Sequence, residues 1–273
     1  MDVVQICGGI GNQMFQYSFG KVLQLQGKEV AYDISWYSSQ TGDPVFPRPF
    51  RLDKFQVTGL HFHRFEKSNP IVYEKAVKFN PKLFELKNDN NFYGYWQYYV
   101  YYERIVPILK KEFELKTEFY TPEFLKMAEK IIDTTSVSMH VRRGDYQLHR
   151  IGGFKDLPAT YYFNAMKEVE GDLYIFSDDI PWCKETFKQA YFKRKITFVD
   201  MEDYLCFELM KLCKHNINTN STFSWWAALL NDNEGKKVIC PVTYQGDSVE
   251  NSIQYRYPKD WIKIEDYAIH FVR

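Results

Sequence analysis

The sequence has no excess of charge of either sign. Lysine and arginine together number 35, and aspartate and glutamate together also number 35. A chain without a positive field is not drawn as a whole to nucleic acid or to an anionic membrane surface. We therefore expect no nucleic-acid partner, and any anion that the protein binds must be held by a local cluster of residues.

Long apolar runs and paired cysteines are also lacking. No apolar run reaches the roughly 18 residues that a membrane span needs, and Met1 leads into VVQIC without a basic leader. The five cysteines are odd in number and show no C-x-x-C spacing, which favours reduced, buried thiols over disulfides or a zinc site. We expect a cytoplasmic protein without a transmembrane segment, and we leave a peripheral membrane contact open.

The order of predicted elements indicates an α/β protein of two domains. A strand, a glycine loop, a helix and a second strand follow one another from Asp2 to Ile34, and strands alternate with helices from Ser136 to Val242. Such alternation is typical of parallel, doubly wound sheets. We predict an N-terminal domain over residues 1–133 and a C-terminal domain over residues 134–273. The irregular stretch from Trp36 to Asn90 carries no clear pattern.

The most charged motif, HVRRGDY, follows a predicted strand and begins at His140. A period of two places His140 and Arg142 on one face and Arg143 on the other, where Asp145 is the nearest carboxylate. A guanidinium binds two phosphate oxygens at once and stays charged at any working pH. We predict that Arg142 faces a diphosphate. For Arg143 and Asp145, a structural ion pair is an equally good interpretation.

Two further motifs follow predicted strands, where ligands of such sheets bind. In GGIGNQ, Gly9 and Gly11 let the backbone approach a ligand at a helix start, and Asn12 and Gln13 add uncharged polar groups. The motif lacks the Lys-Ser/Thr ending of a P-loop, so a tight turn is an alternative interpretation. In STFS, the hydroxyl groups form either a phosphate cradle or a helix N-cap. These hydroxyl groups belong to Ser221, Thr222 and Ser224.

An acidic motif and an aromatic band leave more alternatives open. Ser177-Asp178-Asp179 could hold a metal, cap a helix or contact a nucleobase or ribose, and the lack of a nearby histidine or third acid favours the last two. Tyr95 and Trp96 lie in a band of aromatic residues that could stack on sugars. Core packing is the alternative for most of that band.

Taken together, the motifs resemble the α-1,2-fucosyltransferases of glycosyltransferase family 11. The resemblance spans nearly the whole chain, in the same order, and rests on GGIGNQMFQYSFG, GYWQYY, HVRRGDY, LPATYY, SDD and STFSWW. It implies a GT-B type α/β fold, in which two Rossmann-like domains face each other across a cleft. It also implies inverting transfer of L-fucose from GDP-fucose to the 2-hydroxyl of a galactose-terminated glycan, with no cofactor and no metal.

The resemblance also implies roles for individual residues. Arg142, His140 and Asp145 would be the catalytic group, with Arg142 on the β-phosphate of GDP, and Arg143 would brace it. The residues expected to bind the donor are Gly9, Gly11, Asn12, Gln13, Arg143, Ser177, Asp178, Asp179, Ser221, Thr222, Phe223 and Ser224. Those expected to bind the acceptor are Tyr95 and Trp96. Apart from the resemblance, Asp33, after the second predicted strand, and His149, just beyond the arginine motif, are candidates for the general base by position.

Three rival functions stay open on the sequence alone. An α-1,6-fucosyltransferase or a protein O-fucosyltransferase would use the same donor. Protein O-fucosyltransferases carry an arginine in the comparable glycine loop, where this chain has Gly9, and this difference favours a glycan acceptor. The third rival is a non-catalytic glycan-binding protein in which the aromatic band would be the main site and the arginine cluster structural.

Overall fold

The computed structural model describes residues 1–39, 48–74, 79–144, 156–189, 192–244 and 252–265. The chain forms two compact units. Unit 1 comprises Met1–Lys116 and Gln254–Tyr257, and unit 2 comprises Thr117–Ile253 and Pro258–Arg273. The predicted boundary after residue 133 therefore falls inside unit 2.

The boundary lies earlier than predicted because the helix before residue 133 packs on unit 2. This helix, Pro122–Ile132, buries Phe124, Ala128 and Ile131. The hydroxyl of Tyr174, within a strand of unit 2, donates a hydrogen bond to the carbonyl oxygen of Lys130 at 3.1 Å. The apolar period of the sequence predicts this helix and its apolar face. It does not show which sheet covers that face.

Unit 1 is built on a four-stranded parallel sheet. Its strands are β1 (Asp2–Gln5), β2 (Val30–Asp33), β3 (Ile71–Tyr73) and β4 (Asn91–Tyr93). They lie in the order β2-β1-β4-β3, and each pairing is parallel. The helices are α1 (Ile10–Leu25), α2 (Ser35–Ser39) and α3 (Val106–Glu112).

Helix α1 carries the apolar face of unit 1, as the sequence period predicts. Phe15, Phe19 and Leu23 are buried, and the ring of Phe19 stacks on Trp96 with centroids 4.3 Å apart. Gly27 follows the C-cap residue with a φ of 84°, a left-handed conformation that glycine adopts without a steric cost. The predicted strand, glycine loop, helix and strand are thus confirmed.

Unit 2 contains a six-stranded parallel sheet. Its strands are β5 (Ser136–Val141), β6 (Asp172–Ser177), β7 (Ile196–Val199), β8 (His215–Ile217), β9 (Val238–Pro241) and β10 (Ile262–Ile264). Its helices are α4 (Pro122–Ile132), α5 (Ala159–Ala165), α6 (Ile180–Thr186), α7 (Asp203–Leu212) and α8 (Thr222–Leu230). Short 3-10 segments span Leu52–Lys54, Pro81–Glu85, Tyr99–Tyr101 and Glu103–Ile105 in unit 1 and Thr117–Phe119 in unit 2, and a π-helical segment spans Ser252–Arg256.

The strand order of unit 2 reverses at β5. The sheet runs β10-β9-β8-β5-β6-β7, so the chain moves outward from β5 to β7 and then returns to β8 on the other side of β5. The carboxyl ends of β5 and β8 therefore flank the topological switch point, where ligands of doubly wound sheets bind. The predicted α/β class with parallel sheets is confirmed.

The structure also describes the cysteines and the length and apolar character of the helices. All five cysteines are buried, and none of them forms a disulfide, as predicted. Among the residues that the structure describes, no helix has both the length and the apolar character needed to cross a bilayer.

We predict that Gly171 is required for the stability of unit 2. Its φ is 120°, and a Cβ atom there would lie 2.1 Å from the carbonyl oxygen of Thr135. Gly171→Ala should lower the free energy of unfolding by about 3 to 4 kcal/mol, because the cost of a strained φ and the cost of a clash with the backbone add to each other. Gly27→Ala is the matched control, since its Cβ would meet nothing within 4 Å, and it should cost only about 1 to 2 kcal/mol. Equal losses in urea unfolding would contradict the clash.

Candidate functional site

The arginine motif lies at the carboxyl end of β5, next to the end of β6. All six residues of β5 are buried, and the side chains of Arg142 and Arg143 are 18% and 14% exposed. Nη1 of Arg142 lies 3.0 Å from Oδ2 of Asp178, which follows β6. The structure thus supplies an internal carboxylate for Arg142, which the sequence left to a ligand alone.

Asp178 also holds the backbone of the arginine motif. Its Oδ1 accepts a hydrogen bond from the backbone N–H of Arg143 at 2.9 Å, and its Oδ2 accepts one from the N–H of Gly144 at 3.1 Å. One carboxylate therefore fixes both the main chain after β5 and the guanidinium of Arg142. In this structure Asp178 contacts the arginine motif, and the nucleoside contact that the sequence suggested for it stays a prediction.

Arg143 forms ion pairs with two acids that the sequence did not single out as its partners. Its Nη1 lies 2.9 Å from Oδ2 of Asp156, and its Nε lies 3.2 Å from Oδ2 of Asp179. Its guanidinium also lies over the ring of Trp182, 4.0 Å from the centroid, a favourable cation–π contact. The partner expected from the sequence, Asp145, lies outside the described residues. Asp156 gave no sequence signal because it is 13 residues away along the chain.

Asp179 is a helix cap, one of the two interpretations favoured for the acidic motif. Its Oδ1 accepts a hydrogen bond from the N–H of Trp182 in the first turn of α6 at 3.1 Å. The hydroxyl of Ser177 accepts one from the N–H of Asp179 at 2.9 Å. Both side chains are therefore engaged within the turn after β6.

The charges of this cluster nearly cancel. Two guanidinium groups face three carboxylates, those of Asp156, Asp178 and Asp179, which gives a local balance of −1. The five groups together cannot attract an anion by net charge. What they provide is orientation, because each guanidinium is held by a carboxylate in a fixed direction.

His140 is a neutral imidazole on the face of β5 that continues to Arg142. Its side chain is 5% exposed, and its Nδ1 has no hydrogen-bond partner among the described residues. Burial, with a further contribution from Arg142, lowers the pKa of His140 to about 3. Its ring lies against Phe223, with centroids 5.3 Å apart.

Asn218, immediately after β8, was not identified from the sequence. It is 1% exposed, and neither its Oδ1 nor its Nδ2 has a partner among the described residues. In HNINTN, Asn216 and Asn218 alternate with other residues, and this alternation was the available signal of one polar strand face. This alternation points to a site only when β8 is known to lie beside β5.

The STFS motif opens helix α8 and is largely buried. Ser221 is the N-cap, since its hydroxyl accepts a hydrogen bond from the N–H of Phe223 at 3.3 Å. Thr222 is 8% exposed. Ser224 is fully buried, and its hydroxyl donates to the carbonyl oxygen of Ser221 at 3.4 Å. The N-cap interpretation is confirmed for Ser221, and Ser224 faces inward rather than toward a ligand.

In unit 1, the glycine loop forms a tight turn into α1. Gly8 has a φ of 78°, and a Cβ there would lie 2.7 Å from Nδ2 of Asn12. Gly9 is the N-cap of α1 and Gly11 is buried in its first turn. Oδ1 of Asn12 accepts a hydrogen bond from Nε2 of Gln97 at 3.0 Å, which joins the loop to the segment after β4.

Gln13 is structural, contrary to the expectation that it binds the donor. It is fully buried. Its Nε2 donates to the carbonyl oxygens of Gly8 and Pro49, each at 2.9 Å, and its Oε1 accepts from the N–H of Arg51 at 2.8 Å. All its hydrogen-bonding atoms thus hold the loop against residues 49–51.

The two candidate acceptor residues differ in exposure. Trp96 is fully buried against Phe19, so it offers no surface to an acceptor, and the core interpretation holds for it. Tyr95 is 48% exposed.

Neither candidate for the general base gains support. Asp33 is 5% exposed, and its carboxylate accepts hydrogen bonds from the N–H groups of Ser35 and Phe65, each at 2.8 Å. His149 lies outside the described residues.

Comparison with known proteins identifies relatives over the whole length of the chain. Residues 2–265 match the family described as Glycosyl transferase family 11. The chain is 30% identical to an α-1,2-colitosyltransferase of Escherichia coli, over 96% of this chain and 98% of that protein. It is 28% identical to the O-antigen biosynthesis glycosyltransferase WbnK of Escherichia coli, over 86% of this chain and 92% of that protein.

A solved structure shares the fold. It is that of the α-1,6-fucosyltransferase NodZ soaked with GDP-fucose, at 14% identity and a TM-score of 0.50, over 84% of this chain and 91% of that one. At this identity the likeness shows the fold alone. With it, the GT-B type predicted from the sequence is confirmed.

We predict that His140 makes stability fall as the pH is lowered. Because its pKa is about 3 in the folded protein and about 6.5 when unfolded, the unfolded chain binds the extra proton between these values. The free energy of unfolding of the wild type should therefore fall, relative to that of His140→Gln, by about 1.4 kcal/mol per pH unit below about pH 6. Denaturant unfolding between pH 7 and pH 4.5 measures this difference. Parallel pH curves for the two proteins would contradict a buried neutral imidazole.

Proposed function

This chain belongs to glycosyltransferase family 11, and we propose that within this family it transfers L-fucose from GDP-fucose to the 2-hydroxyl of a terminal galactose on a glycan acceptor. Glycosyl transfer follows from family membership. The sugar, the linkage and the acceptor are the proposal. The observation that carries it is the guanidinium of Arg142, held by Asp178 at the switch point of a doubly wound sheet.

The reaction requires a group that stabilises the departing phosphate. The acceptor oxygen forms a bond to C1 of fucose while the bond from C1 to the β-phosphate oxygen breaks, which inverts the configuration at C1. The electron pair of the broken bond stays on GDP, and the hydroxyl proton passes to a base. A fixed cation aimed at the β-phosphate acts where negative charge develops, so no metal ion is needed for that purpose.

Asp178 makes such a fixed cation available. Its direct contact to Arg142 joins Oδ2 to Nη1 at 3.0 Å. Its hydrogen bonds to the backbone of Arg143 and Gly144 hold the same segment. An arginine oriented before the donor binds loses less conformational freedom when it contacts phosphate. We therefore assign Arg142 to the phosphate and Asp178 to positioning.

The remaining donor contacts are assigned by position and by whether a side chain is already engaged in the core. His140 and Phe223 lie together at the switch point, so they are placed on the nucleotide, and Thr222 lies in the first turn of α8. Gly9, Gly11 and Asn12 form the glycine loop of unit 1, which we assign to the reacting sugar. Gln13, Ser224 and Trp96 are left out because their side chains are buried and engaged.

The acceptor surface that we propose centres on Tyr95. Tyr93 and Tyr73, the last residues of β4 and β3, are 47% and 59% exposed, and their ring centroids lie 5.6 Å apart. Three exposed tyrosines at the carboxyl edge of one sheet offer flat apolar faces with polar rims. Such faces suit the apolar faces of sugar rings.

A second candidate donor carries colitose in place of fucose. It is favoured by the relative whose name specifies α-1,2-colitosyl transfer, with 30% identity over 96% of this chain. Colitose is the 3-deoxy analogue of L-fucose, so the two donors differ by one hydroxyl group. A site that hydrogen-bonds this hydroxyl discriminates strongly against the deoxy sugar, whereas an apolar site does not.

A transfer assay decides between these donors. The purified chain is incubated with GDP-fucose or GDP-colitose and β-galactoside acceptors, with and without excess chelator, and the linkage of any product is determined. We expect α-1,2-fucosyl galactose at an unchanged rate in chelator. A product with another linkage, or a preference for colitose, would contradict the finer proposal. Loss of activity in chelator that Mg²⁺ or Mn²⁺ restores would contradict the metal-independent mechanism.

We predict that Arg142→Lys is nearly as inactive as Arg142→Ala. Lysine keeps the charge but cannot contact Asp178 and a phosphate with one planar fork. Charged hydrogen bonds contribute roughly 1.5 to 3 kcal/mol each, so turnover should fall by about two to four orders of magnitude. Arg194→Lys is the control, because Nη2 of Arg194 donates hydrogen bonds to the carbonyl oxygens of Met166 and Val169 in unit 2, away from the arginine motif. Near-native transfer by the Arg142 variant would exclude the proposed role.

A further inference from the structure

The side chain of Asn218 is a buried carboxamide whose polar atoms lack partners. The backbone around it is fixed on both sides. Its N–H donates to the carbonyl oxygen of Ile239 at 2.8 Å, and its carbonyl oxygen accepts from the hydroxyl of Tyr161 at 2.5 Å. The side chain is 1% exposed, and both Oδ1 and Nδ2 lack a partner among the described residues. A buried carboxamide in this state costs stability unless another molecule completes its hydrogen bonds.

Asn216, two residues earlier on the same strand face, shows the contrasting case. Its Nδ2 donates to the hydroxyl of Ser138 at 2.7 Å and to the carbonyl oxygen of Met210 at 2.9 Å, and its Oδ1 accepts from Asn231 at 2.7 Å. The polar face of β8 is therefore satisfied inside the sheet. It becomes unsatisfied at the carboxyl end of the strand, where ligands of such sheets bind.

His140 lies beside Asn218 on the neighbouring strand. Ser138 pairs with Asn216, and Met139 pairs with Ile217, so the next step of the register sets His140 opposite Asn218. Residues two apart on a strand share a face, and the side chains of His140 and Asn218 therefore project to the same side of the sheet. Nδ1 of His140 also lacks a partner among the described residues. Two uncharged polar side chains thus project from adjacent segments at the switch point, and both are more than nine-tenths buried.

We propose that Asn218 joins His140 in binding the nucleoside of a nucleoside diphosphate, and that it does not bind the diphosphate. This inference rests on the proposed function, because it takes the donor to be a sugar nucleotide. The unsatisfied Oδ1 of Asn218 needs a hydrogen-bond donor, and ionised phosphate oxygens only accept. A ribose hydroxyl, or the N–H and carbonyl edge of a purine such as guanine, both donates and accepts. The diphosphate is then bound by Arg142, which follows the same strand as His140.

A ligand must displace a neighbouring side chain to reach this pair. Phe223 packs on the ring of His140, with centroids 5.3 Å apart, and it is only half-buried. We place the opening at this ring. Movement of Phe223 would uncover His140 from the solvent side without changing the hydrogen bonds that hold the backbone of Asn218.

The test is Asn218→Leu, which keeps the size of the side chain and removes both polar atoms. Binding of GDP and of inorganic pyrophosphate is measured by calorimetry, and the melting temperature is measured without ligand. We expect affinity for GDP to fall about tenfold, which corresponds to roughly one to two uncharged hydrogen bonds. Affinity for pyrophosphate should be unchanged, and the melting temperature should stay the same or rise. Asn218→Ala is measured in parallel in case leucine disturbs folding.

Other outcomes overturn the inference. Unchanged GDP affinity in both variants would mean that the carboxamide has no ligand role. Equal losses for GDP and pyrophosphate would place Asn218 on the diphosphate. Asn216→Ala is the matched control and should lower the melting temperature while the ratio of GDP to pyrophosphate affinity is kept. In the wild type, comparison of GDP with 2′-deoxy-GDP and with IDP shows whether the ribose or the base makes the contact.

Failure of the proposed donor is distinguishable from failure of this inference. If ADP, UDP or CDP binds the wild type more tightly than GDP, the guanosine donor is wrong, and the same comparison with pyrophosphate is made with that nucleotide. If no nucleoside diphosphate binds the wild type more tightly than pyrophosphate, the nucleoside contact itself is excluded.

Discussion

The carboxylate of Asp178 is the contact on which the arginine motif depends. It accepts hydrogen bonds from two successive residues of the main chain after β5 and forms an ion pair with Arg142. Buried or half-buried charges are stable only when they are paired and hydrogen-bonded. Without Asp178, both the chain after β5 and the guanidinium of Arg142 would lose these contacts.

A second constraint is the reversal of strand order at β5. It brings the end of β8 beside β5, although the paired residues Ser138 and Asn216 are 78 residues apart in the sequence. The reversal places an oriented cation, a neutral imidazole and an unsatisfied carboxamide at one edge of a sheet. Charge and uncharged polarity are divided between separate side chains there, and this division matches the two halves of a nucleoside diphosphate.

Much of the fold was predictable because it depends on local periodicity. The stripe of Phe15, Phe19 and Leu23 on α1, the strand Ser136–Val141, and the alternation of strands and helices after it all appear in the structure. The domain boundary was misplaced because α4 has a clear apolar face but no sequence mark of the unit that covers it. Gln13 and Trp96 were misassigned for a similar reason, since their residue types suit a ligand site and only burial shows that they are engaged in the core.

The sequence alone determined the family, the parallel α/β class and the residue types available for chemistry, because motifs and periods are properties of neighbouring residues. The tertiary structure decided which of those residues face one another. It paired Arg142 with Asp178, an internal carboxylate that the sequence did not indicate, and it paired Arg143 with the carboxylates of Asp156 and Asp179. It also set Asn218 beside His140. These pairings join segments that are distant along the chain, and only the strand order and register of the sheet bring them within hydrogen-bonding distance or onto adjacent strands.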